Sequence, residues 1–334
     1  MKIVKLDVND NGKTRELYEE IFSEDSKSFV DYYYTEKTKD NQIYIGKEDE
    51  VLCTMLHLNP YTLIVNGNEK QVHYIVAVAT RPEYRRRGYM AAILKQALND
   101  MYRSGETFTY LMPAAESIYL PHDFRTVYEQ NICMHDPENV PADVQVKAAK
   151  QTDCEELAKW AAAFYSSRYQ VFTRRDAAYY RRLIKECGSD GGSLMIYRKN
   201  GGVKDCRLYF AEDDKDNTEK PKIMVRIVDV RRMLMSMQLK SFIGTCFQIT
   251  DRLIEENNRC VVLTGTEFSG VMLMEGKPEN SEGTITVAAL ASFLFGAKCV
   301  EEICEEEGVH MTERMKEEMK KIVPLSRICV DEVV

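Results

Sequence analysis

The stretch VAVATRPEYRRRGYMAAIL, residues 76–94, decides the expected fold. Its first five residues are β-branched or small and predict a strand. From residue 89 onward, apolar side chains recur at steps of three and four and predict an amphipathic helix that ends near Gly105. These side chains are Met90, Ile93, Leu94, Ala97, Leu98 and Met101. A strand therefore passes through a basic turn directly into a helix N-terminus.

This turn has the chemistry of an anion site. The first turn of a helix presents unpaired N–H groups and about half a positive charge, which suits a diphosphate. Gly88 lets the backbone approach such a group closely, while Arg85, Arg86 and Arg87 supply fixed cationic donors. The alternative is a solvated basic turn or a nucleic-acid patch. The formal net charge of −8 disfavours that alternative.

The segments around the stretch predict an α+β module. Two helical segments precede it, and strand-forming runs at residues 61–65 and 71–79 flank Asn66-Gly67, a dipeptide typical of hairpin turns. The helix that starts at residue 89 is followed by another strand at residues 107–112. Helices, an antiparallel meander, one helix and a strand thus follow one another.

The length of 334 residues predicts more than one unit. A loop-like composition at residues 137–141 and a polar acidic stretch at residues 212–220 suggest the boundaries. We expect units at residues 1–145, 146–220 and 221–334, the second of them small and the third opened by a buried strand at residues 223–230.

Composition excludes several classes of function. No apolar run approaches the ~20 residues of a membrane span, and residues 1–7 lack the features of a secretory signal. The ten cysteines are scattered singly, which predicts a cytoplasmic protein without disulfides. The sequence contains no CxxC pair, and its five histidines do not have the spacing of metal ligands, so we expect no metal site. The acidic charge argues against nucleic acid and suits a cationic small-molecule partner.

The stretch resembles the coenzyme A loop of the GNAT N-acetyltransferases, whose pattern is Arg/Gln-x-x-Gly-x-Gly/Ala after a strand. The match is Arg85-x-x-Gly88-x, with Met90 where Gly or Ala is usual. The resemblance implies an acetyl-CoA-dependent enzyme that acetylates a primary amine, with acetyl-CoA as co-substrate and no metal.

A wider resemblance covers nearly the whole chain. Residues 114–119, followed by Phe124 and Tyr128, look like the corresponding segment of the enhanced-intracellular-survival (Eis) acetyltransferases. These proteins carry an incomplete second GNAT-like unit and then a sterol-carrier-protein-like α/β domain, which residues 224–230 and 289–296 resemble. His122-Asp123 stands where an aromatic-glycine pair is usual. Similar proteins tend to form homo-oligomers.

This resemblance assigns roles to individual residues. Tyr119 would be the general acid, and the C-terminal carboxylate, here on Val334, the general base. Contacts to the coenzyme would come from two groups of residues, one on each side of the site. These are Val78, Ala79, Thr80, Arg85, Arg86, Arg87, Gly88, Tyr89, Met90 and Ala91 on one side, and Ala114 and Ala115 on the other.

Alternatives remain open at this point. Tyr119 could be a partly buried core residue and Val334 a frayed terminus. The acceptor could be an aminoglycoside, a polyamine or a lysine side chain. The protein could also be a non-enzymatic carrier of an apolar ligand, or a silent scaffold that binds coenzyme A.

Overall fold

The computed structural model describes residues 1–210 and 220–332. Its largest sheet has nine strands and lies at the centre of the fold. Its N-terminal elements are β1 (Lys2–Lys5), α1 (Arg15–Ile21), α2 (Lys27–Thr35), β2 (Gln42–Glu48), β3 (Val51–Val65), β4 (Asn68–Thr80), α3 (Tyr89–Ser104), β5 (Phe108–Leu111), α4 (Glu116–Tyr119) and β6 (Arg125–Glu129). Strands β1 to β4 are antiparallel neighbours, and the predicted turn at Asn66-Gly67 joins β3 to β4. The two turn residues have φ of 48° and 80°.

Helices cover both faces of this sheet. On one face α1 and α2 pack over apolar residues of β2 and β3, such as Ile43 and Met55. On the other face α3 buries Ile93, Leu94, Ala97, Leu98 and Met101, the apolar stripe predicted from its sequence. The helix ends at Gly105, whose φ of 84° suits a left-handed cap. The helical prediction is confirmed.

A smaller layer follows in the chain. Its elements are β7 (Gln145–Ala148), α5 (Cys154–Ser166), β8 (Val171–Thr173), α6 (Ala177–Ser189), β9 (Ser193–Lys199) and β10 (Gly202–Tyr209). Strands β7, β9 and β10 form a sheet of three, against which α5 and α6 pack. Strand β8 leaves this layer and pairs with the second half of β3, so it joins the layer to the central sheet.

The remaining elements form a second sheet and return to the first. They are β11 (Lys222–Ile227), α7 (Val230–Leu234), β12 (Gln238–Leu239), β13 (Ile243–Thr250), β14 (Arg259–Thr266), β15 (Gly270–Glu275), β16 (Gly283–Thr286), α8 (Val287–Leu294), α9 (Val300–Ile303), β17 (His310–Met311), α10 (Glu313–Met319), β18 (Ile322–Val323) and β19 (Ile328–Cys329). Strands β13 to β17 form a five-stranded sheet. All residues of α8 are buried, and β19 pairs in parallel with β8.

Strand β11 lies elsewhere than the sequence predicts. Its residues are expected at the start of the third unit, whereas the structure inserts them between β5 and β6 of the central sheet. The five residues from Ile223 to Ile227 are all buried, so both faces of the strand need cover, and an inner position in the sheet provides it. The boundary expected between residues 220 and 221 therefore does not separate two sheets.

A buried ion pair lies where β11 meets the C-terminal sheet. The guanidinium of Arg226, on β11, is fully buried and reaches Asp251 at 2.5 Å. All ten cysteines fall in the described residues and carry free thiols. Across residues 1–210 and 220–332, no helix has the length and apolarity to span a bilayer, and no cluster of three His, Cys, Asp or Glu side chains could hold a metal ion.

Candidate active site

The central sheet opens between β4 and β5. These parallel strands pair at a single position, Tyr74 with Tyr110. Beyond Tyr74, β4 continues to Thr80 with β3 as its ladder partner, so its edge toward β5 has no strand partner among the described residues. Backbone N–H and C=O groups on that edge are free to pair with an extended, amide-containing ligand.

A bulge interrupts β4 inside this opening. His57 of β3 faces Val76, but Met55 faces Ala79, so β4 has one extra residue between these pairs. Ala77 has a φ of 47°, which is unusual for a residue other than glycine. The bulge turns backbone groups of β4 out of the ladder and toward the opening.

The loop between β4 and α3 is built to receive an anion. Arg86 and Gly88 have φ of 61° and 78°, an alternation that points successive N–H groups to one side. Gly88 caps α3 without a side-chain hydrogen bond, so the first N–H groups of the helix, on Tyr89, Met90 and Ala91, are unpaired inside the helix. Residues 85–88 are exposed, and the cradle faces solvent.

Neighbouring side chains fix the shape of this loop. Arg85 donates to the backbone oxygen of Thr80 at 3.1 Å. Arg87 lies over the ring of Tyr84 and 3.5 Å from Glu48, which also accepts a 2.5 Å hydrogen bond from Tyr89. The loop is therefore tied to β4 and to β2 before any ligand binds, which lowers the entropy lost on binding.

The structure brings the predicted coenzyme residues to one edge of the sheet. Val78, Ala79 and Thr80 form the carboxyl end of β4, and residues 85–91 follow as the loop and the helix start. Ala114 and Ala115 are exposed and follow the carboxyl end of β5, on the other side of the opening. Val334, predicted as the base, lies outside the described residues.

Tyr119 ends α4, just after these alanines. It is 8% exposed, and its ring packs edge-on against Phe124. Burial raises the pKa of Tyr119 to about 12. Its hydroxyl has no hydrogen-bond partner in the described part of the chain, and the side chain stays protonated at neutral pH.

A large cavity opens on the α1–α2 face of the sheet. Its volume is about 920 Å³, within the range of small-molecule sites. It is walled by α2, β3, α5, α6, β10 and the segment after β19. Lining residues include Phe29, Lys37, Tyr61, Arg175, Tyr179, Glu186, Asp331 and Glu332. No local sequence signal indicates this cavity, because its walls come from remote segments.

Three neighbouring tyrosines lie between the cavity and the opening in the sheet. Tyr61 lines the cavity, and its ring centroid lies 6.3 Å from that of Tyr74 and 6.4 Å from that of Tyr110. Tyr74 and Tyr110 stack in parallel at 4.8 Å, at the position where β4 and β5 part. The inner end of the cavity thus adjoins the opening.

The cavity has an excess of acidic groups. Its basic side chains are each paired with a carboxylate, as Lys37 is with Glu186 at 2.7 Å. The other basic side chains are Arg174, Arg175, Arg182 and Arg207. By contrast Glu24, Asp25 and Asp190, at the mouth, form no ion pair with the described residues.

The three mouth carboxylates lie close together. Burial first, and then the charges of Glu24 and Asp190, raise the pKa of Asp25, although a hydrogen bond from Tyr18 opposes the increase. Carboxylates that repel one another in this way attract a cation.

Comparison with known proteins agrees with this geometry. Residues 8–127 match the sequence model of the family described as acetyltransferase (GNAT) domain. This part of the chain is a GNAT domain. The predicted enzyme class, an N-acetyltransferase, is confirmed. The opening between β4 and β5, the bulge and the loop before α3 all lie within the GNAT domain. No sequence of a curated protein matches the chain.

Solved structures share the fold of the whole chain. A probable N-acyltransferase of Enterococcus faecalis V583 superposes with a TM-score of 0.78 at 15% identity, over 98% of each chain. A GCN5-related N-acetyltransferase of Anabaena variabilis gives 0.75 at 13% identity, and Eis1 of Mycobacterium abscessus gives 0.71 at 12%, each over 100% of both chains. Identities this low show a common fold, in which the GNAT domain is combined with the further sheets described above.

Proposed function

We propose that the protein transfers the acetyl group of acetyl-CoA to a primary amine of a cationic small molecule. One observation carries the proposal: Tyr61, which lines the acidic cavity, packs against Tyr74 and Tyr110, the pair at which β4 and β5 part. A thioester in the opening and an amine in the cavity would approach each other there.

The coenzyme would lie along the opening. The unpaired edge of β4 at Val78, Ala79 and Thr80 offers backbone partners for the amides of the pantetheine arm. The loop and the start of α3, from Arg85 to Ala91, would bind the diphosphate. Ala114 and Ala115 would contact the arm from the other side, where small side chains leave room.

The acceptor would enter through the acidic mouth. Polyamines and aminoglycosides carry several ammonium groups, and Glu24, Asp25 and Asp190 can bind those that do not react. A lysine side chain presented by a peptide is the third candidate. The acidic mouth favours polycations over monoamines of similar size.

Tyr119 would protonate the departing thiolate. With a pKa of about 12 for this tyrosine and about 8.5 for a thiol in water, the transfer is uphill by about 3.5 units, or about 5 kcal/mol. The desolvation that raises the pKa of Tyr119 also raises that of a buried thiol, so the difference inside the site is smaller. The acid role therefore requires the sulfur to be shielded from water.

Other predictions from the sequence remain proposals. They are the base role of the Val334 carboxylate, the division at residues 145 and 220, the sterol-carrier-like character of the C-terminal unit, a homo-oligomer and a cytoplasmic location. The carrier hypothesis would need room for an apolar ligand. The cavity beside β13 to β15, lined by Leu234, Ile249 and Leu273, measures about 10 Å³.

An acetylation assay tests the proposed function. Purified protein is mixed with acetyl-CoA and an amine panel that pairs spermidine with propylamine, and free thiol is measured over time. We expect thiol release that depends on the amine, faster with spermidine, and a preference for spermidine that weakens as salt is added. Thiol release at the hydrolysis rate with every amine would reject the proposal.

A further inference from the structure

The position of the Tyr119 side chain depends on the turn that follows it. Its hydroxyl makes no hydrogen bond within the described part of the chain. Its ring packs edge-on against the fully buried Phe124, with the ring centroids 5.8 Å apart. A tight turn from Leu120 to Asp123 joins the two residues and leads into β6. The contacts that hold this turn therefore also hold the proposed acid.

The turn has few hydrogen bonds of its own. The N–H of Asp123 donates to the backbone oxygen of Leu120 at 3.2 Å, and the N–H of Phe124 donates to that of Tyr119 at 3.4 Å. Asp123 has a φ of 64°, in the left-handed region that residues other than glycine adopt rarely. A turn with long internal bonds and a strained residue needs contacts from outside to keep a single shape.

Arg226 supports the turn from its buried side. Strand β11 runs beside β6, and Arg226 is the first residue beyond their last pair, Val225 with Arg125. Its side chain is fully buried. Nε donates to the backbone oxygen of His122 at 3.0 Å, and Nη2 lies 3.8 Å from the carboxylate of Asp123. The strand inserted into the central sheet thus contacts two successive residues of the turn.

The same guanidinium is anchored beside the C-terminal sheet. Its Nη2 donates to Oδ1 of Asp251, the residue after β13, at 2.5 Å. This Oδ1 also accepts from the backbone N–H groups of Leu253 and Ile254, at 2.8 and 3.0 Å. Oδ2 accepts from the side chain of Asn257 at 2.8 Å. Because every oxygen of the carboxylate is bonded, Arg226 links the turn to a fixed point.

Arg125 supports the turn from a less buried side. Its Nη1 donates to the backbone oxygens of Leu120 and Phe124, at 3.3 and 2.9 Å. Its Nη2 lies 3.6 Å from Glu306, which follows α9. The side chain is 24% exposed, so its removal disturbs the core less than removal of Arg226. Two arginines thus connect the turn to the segment from β13 to α9.

We propose that Arg125 and Arg226 are positioning residues for Tyr119, through which the segment from β13 to α9 fixes the acid beside the coenzyme. The inference rests on the proposed function and leaves the acid and the base as proposed there. Neither arginine touches the substrate, and each acts by holding backbone oxygens of the turn. The Tyr119 hydroxyl has to lie within hydrogen-bond distance of the thiolate, and a displacement of about 1 Å can lower a rate about 100-fold.

A double-mutant cycle on kcat tests this role. Arg125→Gln removes the guanidinium that holds the turn. Arg259→Gln is the matched control, because Arg259 is 27% exposed, donates to the backbone oxygen of Glu256 at 2.8 Å and lies 3.4 Å from Glu275. None of these groups belongs to the turn. Each substitution is made in the wild type and in Tyr119→Phe, and kcat with spermidine and the Kd for acetyl-CoA are measured.

We expect R125Q to lower kcat about 10-fold and to leave the Kd for acetyl-CoA within about twofold, because only the acid is displaced. In the Tyr119→Phe background no acid remains to be positioned, so the same substitution should change kcat less than about twofold. R259Q should match its parent in both backgrounds. A fall in kcat of equal size in both backgrounds, or no fall in the wild type, overturns the inference.

Arg226→Lys provides a second cycle. The substitution keeps a positive charge beside Asp251, but a single ammonium cannot also reach the backbone oxygens of His122 and Ile227 that the planar guanidinium contacts. We expect kcat to fall at least about 10-fold in the wild type and to stay within about twofold in Tyr119→Phe. A fall that persists without Tyr119 would show that Arg226 acts on another part of the site.

The outcomes separate this inference from the proposed function. If R226K does not fold, the Arg125 cycle decides alone. If the wild type acetylates spermidine and Tyr119→Phe is as fast, the inference fails while the proposed acetyl transfer stands. No turnover by the wild type instead refutes the proposed function and this inference with it.

Discussion

Substitution of Gly88 by alanine distinguishes the contribution of the loop before α3 to acetyl-CoA binding from its contribution to the stability of the fold. Gly88 has a φ of 78°, where a Cβ costs about 1–2 kcal/mol of backbone strain. A Cβ at this position has no protein atom within 4 Å, so strain is its whole effect on folding. If the chain unfolds as one unit, an unfolding entropy of about 0.7 kcal/mol/K converts this strain into a loss of about 1.5–3 °C in Tm.

The substitution should also weaken the binding of acetyl-CoA. The empty space beside Gly88 is where the diphosphate would meet the N–H groups of α3, and a methyl group there keeps it away. We expect the Kd for acetyl-CoA to rise at least about 10-fold, or about 1.4 kcal/mol. Gly270→Ala is the matched control, because Gly270 has a φ of 71°, the same open surroundings and a place at the first residue of β15, outside the proposed site.

Titration calorimetry with acetyl-CoA and thermal unfolding without it are measured for both variants. The two variants should lose similar Tm, and G88A alone should lose affinity. Affinity in G88A within twofold of that in G270A would show that the loop does not hold the diphosphate. The coenzyme side of the proposed function would then have to be abandoned.

Three further substitutions probe the rest of the molecule. Tyr119→Phe should lower kcat about 100-fold in the thiol-release assay and leave the Kd for acetyl-CoA unchanged; an unchanged kcat would leave Tyr119 as a core residue. Burial lowers the pKa of His57 to about 3, so we expect the free energy of unfolding of the wild type to fall as pH falls from 6.5 toward 3, by about 2 kcal/mol at pH 5. Urea unfolding of His57→Asn should show no such fall. The same pH dependence of the unfolding free energy in both proteins would contradict this role of His57. Asp251→Ala should lower the free energy of unfolding, measured with urea, by about 3–5 kcal/mol, because it leaves the buried guanidinium of Arg226 without its carboxylate partner. The control Asp10→Ala, which removes an exposed ion pair, should lower it by less than about 1 kcal/mol. Equal losses in the two variants would contradict the stabilising role of the buried pair.

The strand, loop and helix that form the proposed coenzyme site were predictable because their signals are local. Alternating and helical periods, a turn glycine and adjacent arginines occur within residues 76–94, so the amino-acid sequence alone places the strand, the loop and the helix. The cavity proposed for the acceptor was not predictable in the same way. Tyr61, Tyr179 and Glu332 are far apart in sequence, and only the pairing of β3, β8 and β19 brings them together. The predicted position of β11 was wrong for a related reason, since the apolar sequence of a buried strand does not specify which sheet the strand joins.

The separate origin of the two sides has a consequence for specificity. The loop before α3 and the edge of β4 depend on one continuous segment, whereas the cavity depends on α2, α6 and the chain after β19. A register shift of one residue at β19 would turn the side chain of Glu332 to the opposite face, and only Ile328 and Cys329 pair there. Gln130 and Tyr128, both outside that ladder, hold the segment that follows. Changes in acceptor preference are therefore expected at Glu24, Asp25 and Asp190, which lie outside both the loop before α3 and the segment after β19.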